Sequence, residues 1–177
     1  KTSDNMQQVR MQLDKSGPEI KAPFRVKVTF LLENSFAVID DGGCNILSLF
    51  RDTLANGGSY NLLAAISIGS SLRPNLDIQA PGTAELIQRI KSNTSLIKDV
   101  WNTVEVEVGL DGNEKFFVND TLIGEMLSYQ ARTEKLKPNP QPIQERVVSL
   151  HGIQIYGTKI QKGSAIRFAP IEITIPQ

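Results

Sequence analysis

The chain has 177 residues, 40% of them hydrophobic and 21% charged, a globular composition well away from the regime that leaves chains disordered. Nineteen Lys and Arg offset nineteen Asp and Glu for a formal net charge of +0, so no long-range field draws the chain to nucleic acid or an anionic membrane. The longest apolar run, around Leu62 to Ile66, is far shorter than the ~20 residues of a spanning helix, and a lone Cys44 excludes an internal disulfide, a Cys-x-x-Cys redox motif or a cysteine-based zinc cluster.

The length fits one domain over residues 1–177, with a polar, frayed start at 1–8. The first residue, Lys1, is compatible with an upstream signal peptide, domain or tag having been removed. Residues 9–13 alternate Val, Met and Leu with Arg and Gln, the two-residue period of a half-buried strand. After the turn signal Ser16-Gly17-Pro18, Phe24, Val26, Val28 and Phe30 fall on one face and Arg25, Lys27 and Thr29 on the other, the clearest strand in the chain. Residues 36–39 and 46–50 are short β-rich runs. Asp40-Asp41-Gly42-Gly43 between them predicts a hairpin turn, because glycine supplies positive φ at low cost. A turn at 55–59 precedes strands at 60–68 and 72–78, joined near 69–71. One helix is predicted over 83–91: Thr83 caps its start after the breaker Pro81-Gly82, and Leu86, Ile87 and Ile90 recur at helical spacing. Strands at 103–108 and 115–118 flank Asp111-Gly112-Asn113, and Asn119-Asp120 predicts a two-residue turn into 121–123, since Asn and Asp tolerate left-handed backbone. The proline-rich stretch 137–142 is irregular, and strands at 147–156 and 166–175 close the chain.

About ten short strands, frequent turn signals and one brief helix predict an all-β, two-sheet antiparallel jelly-roll sandwich, not a βαβ fold. The apolar side of each strand then faces the opposite sheet.

Particular residues extend that expectation. Trp101-Asn102-Thr103-Val104-Glu105-Val106-Glu107-Val108, then Asp111-Gly112-Asn113, then Phe116-Phe117-Val118-Asn119-Asp120 with Leu122-Ile123-Gly124 resemble the laminin-G-like and pentraxin-like members of the concanavalin A-like superfamily. In that group a Trp opens a strand of alternating Val, and the next strand ends in an aromatic-Val-Asn-Gly hairpin. Ile46-Leu47-Ser48-Leu49-Phe50 and Tyr60-Asn61-Leu62-Leu63 look like the family's earlier strand pair. Val148-Ser149-Leu150-His151-Gly152-Ile153-Gln154-Ile155-Tyr156-Gly157 resembles the penultimate strand of galectins and laminin-G domains. The resemblance covers most of the chain from Phe24 onward. It implies a jelly-roll sandwich, lectin-like or adhesive binding, and a secreted or cell-surface setting. The galectin His-x-Asn-Pro-Arg strand and Trp-x-x-Glu pair are missing, and Arg73-Pro74-Asn75 is only a reversed echo, so lactose-type recognition is not implied.

The candidate chemistry is sparse. Glu105 and Glu107, two apart on a strand, share a face, as the paired carboxylates of a sandwich-fold glycosidase would; the plainer account is a solvated face opposite Val104, Val106 and Val108. His151 is the only histidine, no Gly-x-Ser-x-Gly elbow accompanies it, and no catalytic triad is expected. Asp40 and Asp41 offer hard oxygens for calcium, against the six to eight that calcium takes. Asn93-Thr94-Ser95 and Asn119-Asp120-Thr121 are acceptor sequons if the protein is secreted. Arg51, Asp52, Asn56, Tyr60, Arg73, Asn75 and Asp77 mix hydrogen-bonding groups with one aromatic, and place a binding site on a concave face of the central strands. The expected function is non-catalytic recognition of a protein or glycan, without a cofactor unless calcium is used. The alternatives are a carbohydrate-active enzyme using Glu105 and Glu107, or a domain that self-associates through its open sheet edges.

Overall fold

A computed structural model describes residues 7–12, 20–51, 61–79, 86–110, 113–126, 149–150 and 152–176, and the regular structure among them is all extended. Its strands are β1 (Gln7–Gln12), β2 (Ile20–Lys21), β3 (Phe24–Leu32), β4 (Val38–Arg51), β5 (Asn61–Ile68), β6 (Pro74–Gln79), β7 (Leu86–Lys91), β8 (Trp101–Val108), β9 (Glu114–Val118), β10 (Thr121–Met126), β11 (Ser149–Leu150), β12 (Gly152–Ile160), β13 (Ile166–Phe168) and β14 (Glu172–Thr174). One antiparallel sheet has the order β1-β12-β4-β5-β6-β7. The other has the order β10-β9-β8-β3-β13, and β14 pairs with β3 further along the same strand; β2 and β11 form a separate pair.

β3 shows why two layers form. Its Phe24, Val26, Val28, Phe30 and Leu32 are wholly buried, while Arg25, Lys27, Thr29 and Leu31 alternate outward. Val104, Val106, Val108, Phe116 and Val118 from β8 and β9 join the same layer, and Cys44, Ile46, Leu47, Ile66, Ile68 and Leu76 of the first sheet meet it in one core. Burying each large apolar side chain stabilises by roughly 1.5–3 kcal/mol. The expected two-sheet antiparallel sandwich is the observed one.

Two expectations are corrected. The helix over 83–91 is not formed: residues 86–91 are strand β7, paired with β6 through Leu76↔Ile90 and Asp77↔Arg89, while residues 83–85 lie outside the described residues. Six residues are too few to separate a 3.6-residue period from a two-residue one, and the free edge of β6 decides by supplying backbone partners. The hairpin turn at Asp40–Gly43 is also absent, because β4 runs unbroken through it. Pairing with β12 passes from Thr158↔Gly43 to Ile160↔Val38, so β4 advances five residues while β12 advances two. The glycines thus serve a bulge, not a turn. Gly43 lies close to the neighbouring strand, for a Cβ there would sit 3.5 Å from the Ile68 carbonyl oxygen.

The Asn119-Asp120 turn forms as expected, with φ of 48° and 60°. The final strand is split at Pro170, which has no N–H to donate, into β13 and β14. The turns at 16–18 and 55–59, Asp111-Gly112, the loop at 137–142 and His151 lie outside the described residues.

Candidate functional site

Strand alternation turns one set of β4–β7 side chains away from the core, and register stacks them in two rows. The first row is Asn45, Ser67, Asn75 and Lys91; the second is Ser48 and Ala65, both buried, followed by Asp77 and Arg89. Asn75 and Asp77, both expected in the site, therefore lie together on the outer face of β6. Asp77 is the centre of this patch: Arg89 Nε and Nη2 donate to its Oδ1 and Oδ2 at 2.6 and 3.0 Å, and the Ser67 hydroxyl donates to Oδ2 at 3.2 Å. The bond to Asp77 raises the Arg89 pKa above its usual value, with burial acting the other way. A guanidinium has five N–H donors in a fixed fork, so two bonds to Asp77 hold it in place and leave donors for a ligand.

Arg73 is exposed in the turn before β6, off these rows. Arg51 ends β4 opposite Asn61, while Asp52, Asn56 and Tyr60 lie outside the described residues. Ser67, Arg89 and Lys91 escaped the sequence reading. Reading 86–91 with period two would have put Arg89 and Lys91 outward next to Asp77.

Glu105 and Glu107 share the outer face of the other sheet, but both are held by Arg25. Arg25 Nη2 donates to Glu107 Oε2, Arg25 Nε lies 3.3 Å from Glu105 Oε1, and the guanidinium sits 5.8 Å from the Phe117 ring centroid. Lys115 Nζ is 3.8 Å from Glu107 and 3.9 Å from Glu125. Burial lifts the Glu105 carboxyl above the ordinary range, against the pull of Arg25 and Lys27. One cation fastening both carboxylates suits a cross-strand clamp between β3 and β8 better than a pair disposed around a scissile bond.

Asp40 and Asp41 fall within strand β4, not on the expected turn, and among the described residues no group of three or more His, Cys, Asp or Glu is placed to hold a metal ion. Of the sequons, Asn93 is exposed in the loop after β7. The Asn119 carboxamide accepts from the Thr103 N–H at 2.8 Å, which ties the turn to β8.

No protein-family model and no curated protein sequence matches the chain. Solved structures do match in fold. The chain is similar to an alginate lyase from Pseudomonas aeruginosa (TM-score 0.62, 12% identity, covering 96% of this chain and 73% of the other). It is similar to the carbohydrate recognition domain of Emp46p in a potassium-bound form (0.57, 11%, 95% and 87%). A human galectin-16 double variant also aligns (0.52, 10%, 96% and 95%). At 10–12% identity these likenesses show the fold alone, a two-sheet jelly-roll sandwich of the kind these proteins share.

Proposed function

We propose that the chain is a non-catalytic carbohydrate-binding module that holds a glycan on the outer face of β5, β6 and β7. The observation that carries this is the Ser67–Asp77–Arg89 cluster, fixed in orientation and flanked by Asn75 and Lys91. Sugar hydroxyls both donate and accept, so they suit a surface offering a carboxylate, a guanidinium, an amide and a hydroxyl in fixed positions. The named carbohydrate recognition domain and alginate lyase of like fold support the same ligand class. Polar preorganisation lowers the cost of binding because few rotamers remain to be frozen.

Glycan-array screening followed by calorimetry tests the proposal. A charge-assisted hydrogen bond contributes about 1.5–3 kcal/mol, so Asp77→Ala is expected to weaken the selected glycan at least tenfold. A blank array, or an Asp77→Ala chain that binds like the wild type, refutes it. The reading places the module in a secreted or cell-surface protein, where exposed Asn93 is open to glycosylation; an enzymatic deglycosylation that leaves the mass of the secreted chain unchanged counts against that. Binding is expected to survive chelation by EDTA, since Arg89 and Ser67 already occupy the Asp77 carboxylate.

A further inference from the structure

A cleft of about 470 Å³ opens at the end of β3, lined by Leu31, Glu33, Asn34, Ser35, Asp99 and Arg167. Leu31 and Arg167 are Cα partners on the outward side of the β3 sheet. The other Cα partner of Leu31 is Trp101, the one tryptophan of the chain, which follows Asp99 by two residues and is 52% exposed. The backbone of Trp101 thus runs one strand over from Leu31, on the same outward face, while the cleft itself is lined without it.

The polar walls are fixed. Arg167 Nε donates to Glu33 Oε1 at 2.7 Å, the Asn34 N–H donates to Asp99 Oδ1 at 2.9 Å, and Lys98 Nζ donates to the Asn34 carbonyl at 2.9 Å. Behind the loop sits Asn102, 1% exposed, whose Nδ2 donates to the carbonyls of Ile97 and Val100, both at 2.8 Å, and whose Oδ1 accepts from the Ile97 N–H at 3.1 Å. Asp99 takes a φ of 56° and donates its N–H to the Leu32 carbonyl at 2.8 Å. Aspartate tolerates that left-handed backbone, and the bond to Leu32 fixes the loop there.

We infer that this cleft is a binding site for a neutral saccharide, with one sugar ring stacked on Trp101 and its hydroxyls bonded to Glu33, Asp99 and Arg167. The charges around it balance, Glu33 and Asp99 against Lys98 and Arg167, so neither an anion nor a cation gains from entering. Hydroxyls gain from both signs, donating to carboxylates and accepting from the guanidinium. The apolar face of a pyranose matches an exposed aromatic platform, and the volume lies within the roughly 300–1,000 Å³ of small-molecule sites. The site is on the opposite sheet from Asp77 and does not depend on the function proposed above.

Because Trp101 is the single tryptophan, its fluorescence reports this location directly. The intact chain is titrated with cellotetraose, mannotetraose, tri-N-acetylchitotriose and N-acetyllactosamine, with sialyllactose as the charged counterpart. At least one neutral oligosaccharide is expected to shift the emission saturably. The shift should persist in an Asp77→Ala, Arg89→Ala variant and need about tenfold more sugar in Arg167→Ala, with circular dichroism confirming that both variants fold. Emission unmoved by every neutral sugar, moved only by sialyllactose, or unaffected in its midpoint by Arg167→Ala overturns the inference.

Discussion

Replacing Arg25 with methionine keeps the aliphatic stem over Phe117 but removes the charge that fastens Glu105 and Glu107. The cost lies between two limits: exposed ion pairs contribute ~0–1 kcal/mol, while breaking a buried pair costs ~3–5 kcal/mol. Arg25 is itself half exposed and Glu105 is 8% exposed, which sets the expected loss at about 1–2 kcal/mol at pH 7.5. The sign with pH follows from Glu105. Its folded pKa is already raised by burial, and Arg25 is the first of the groups holding it down, ahead of Lys27, while Asp120 and Glu107 push it up. Removing Arg25 raises it further. A carboxyl with a raised folded pKa leaves the folded state unpenalised below its unfolded value and costs stability as pH rises toward the folded value. Urea unfolding of wild type and Arg25→Met at pH 4 and 7.5 should therefore show a small difference at the lower pH and the full one at the higher. Equal losses at both values, or no recovery at pH 7.5 in an Arg25→Met, Glu105→Gln double variant, would refute the clamp.

Three further outcomes are expected. Asn119→Val with Asp120→Val puts branched side chains at φ of 48° and 60° and removes the bond to the Thr103 N–H, costing about 2–4 kcal/mol by urea titration. Phe116→Ala empties a wholly buried ring site in the shared core and should cost ~3–5 kcal/mol, lowering the thermal midpoint by many degrees. Burial pushes the Cys44 thiol pKa up to about 12, so at pH 8 it should ignore a thiol reagent in native buffer and react fully in urea; fast native labelling would contradict its place between the sheets.

Legibility in the sequence followed how local the deciding interaction was. β3 and β8 could be read because four apolar residues in one, Phe24, Val26, Val28 and Phe30, and three valines in the other alternate with polar ones, and burial on one face leaves a single register open. The Asn119-Asp120 turn was legible for the same reason, since its backbone preference belongs to two residues. β7 was not, because Leu86, Ile87 and Ile90 satisfy either period until β6 supplies a partner. Gly42-Gly43 marks unusual backbone equally for a turn or a bulge, and only pairing with β12 distinguishes them.

The sites divide along the same line. Asn75 and Asp77 could be found on one strand, but Arg89, which fixes Asp77, was concealed by the helix assignment. Glu105 and Glu107 looked alike as a pair; the β3 register, Arg25↔Glu107 and Lys27↔Glu105, is what gives them to Arg25. The cleft at the end of β3 had no local signature, since Glu33 meets Arg167 across 134 residues and Asn34 meets Asp99 across 65. Jelly-roll topology makes this general: its edges gather loops distant in sequence, so a rim site is assembled from parts that carry no motif.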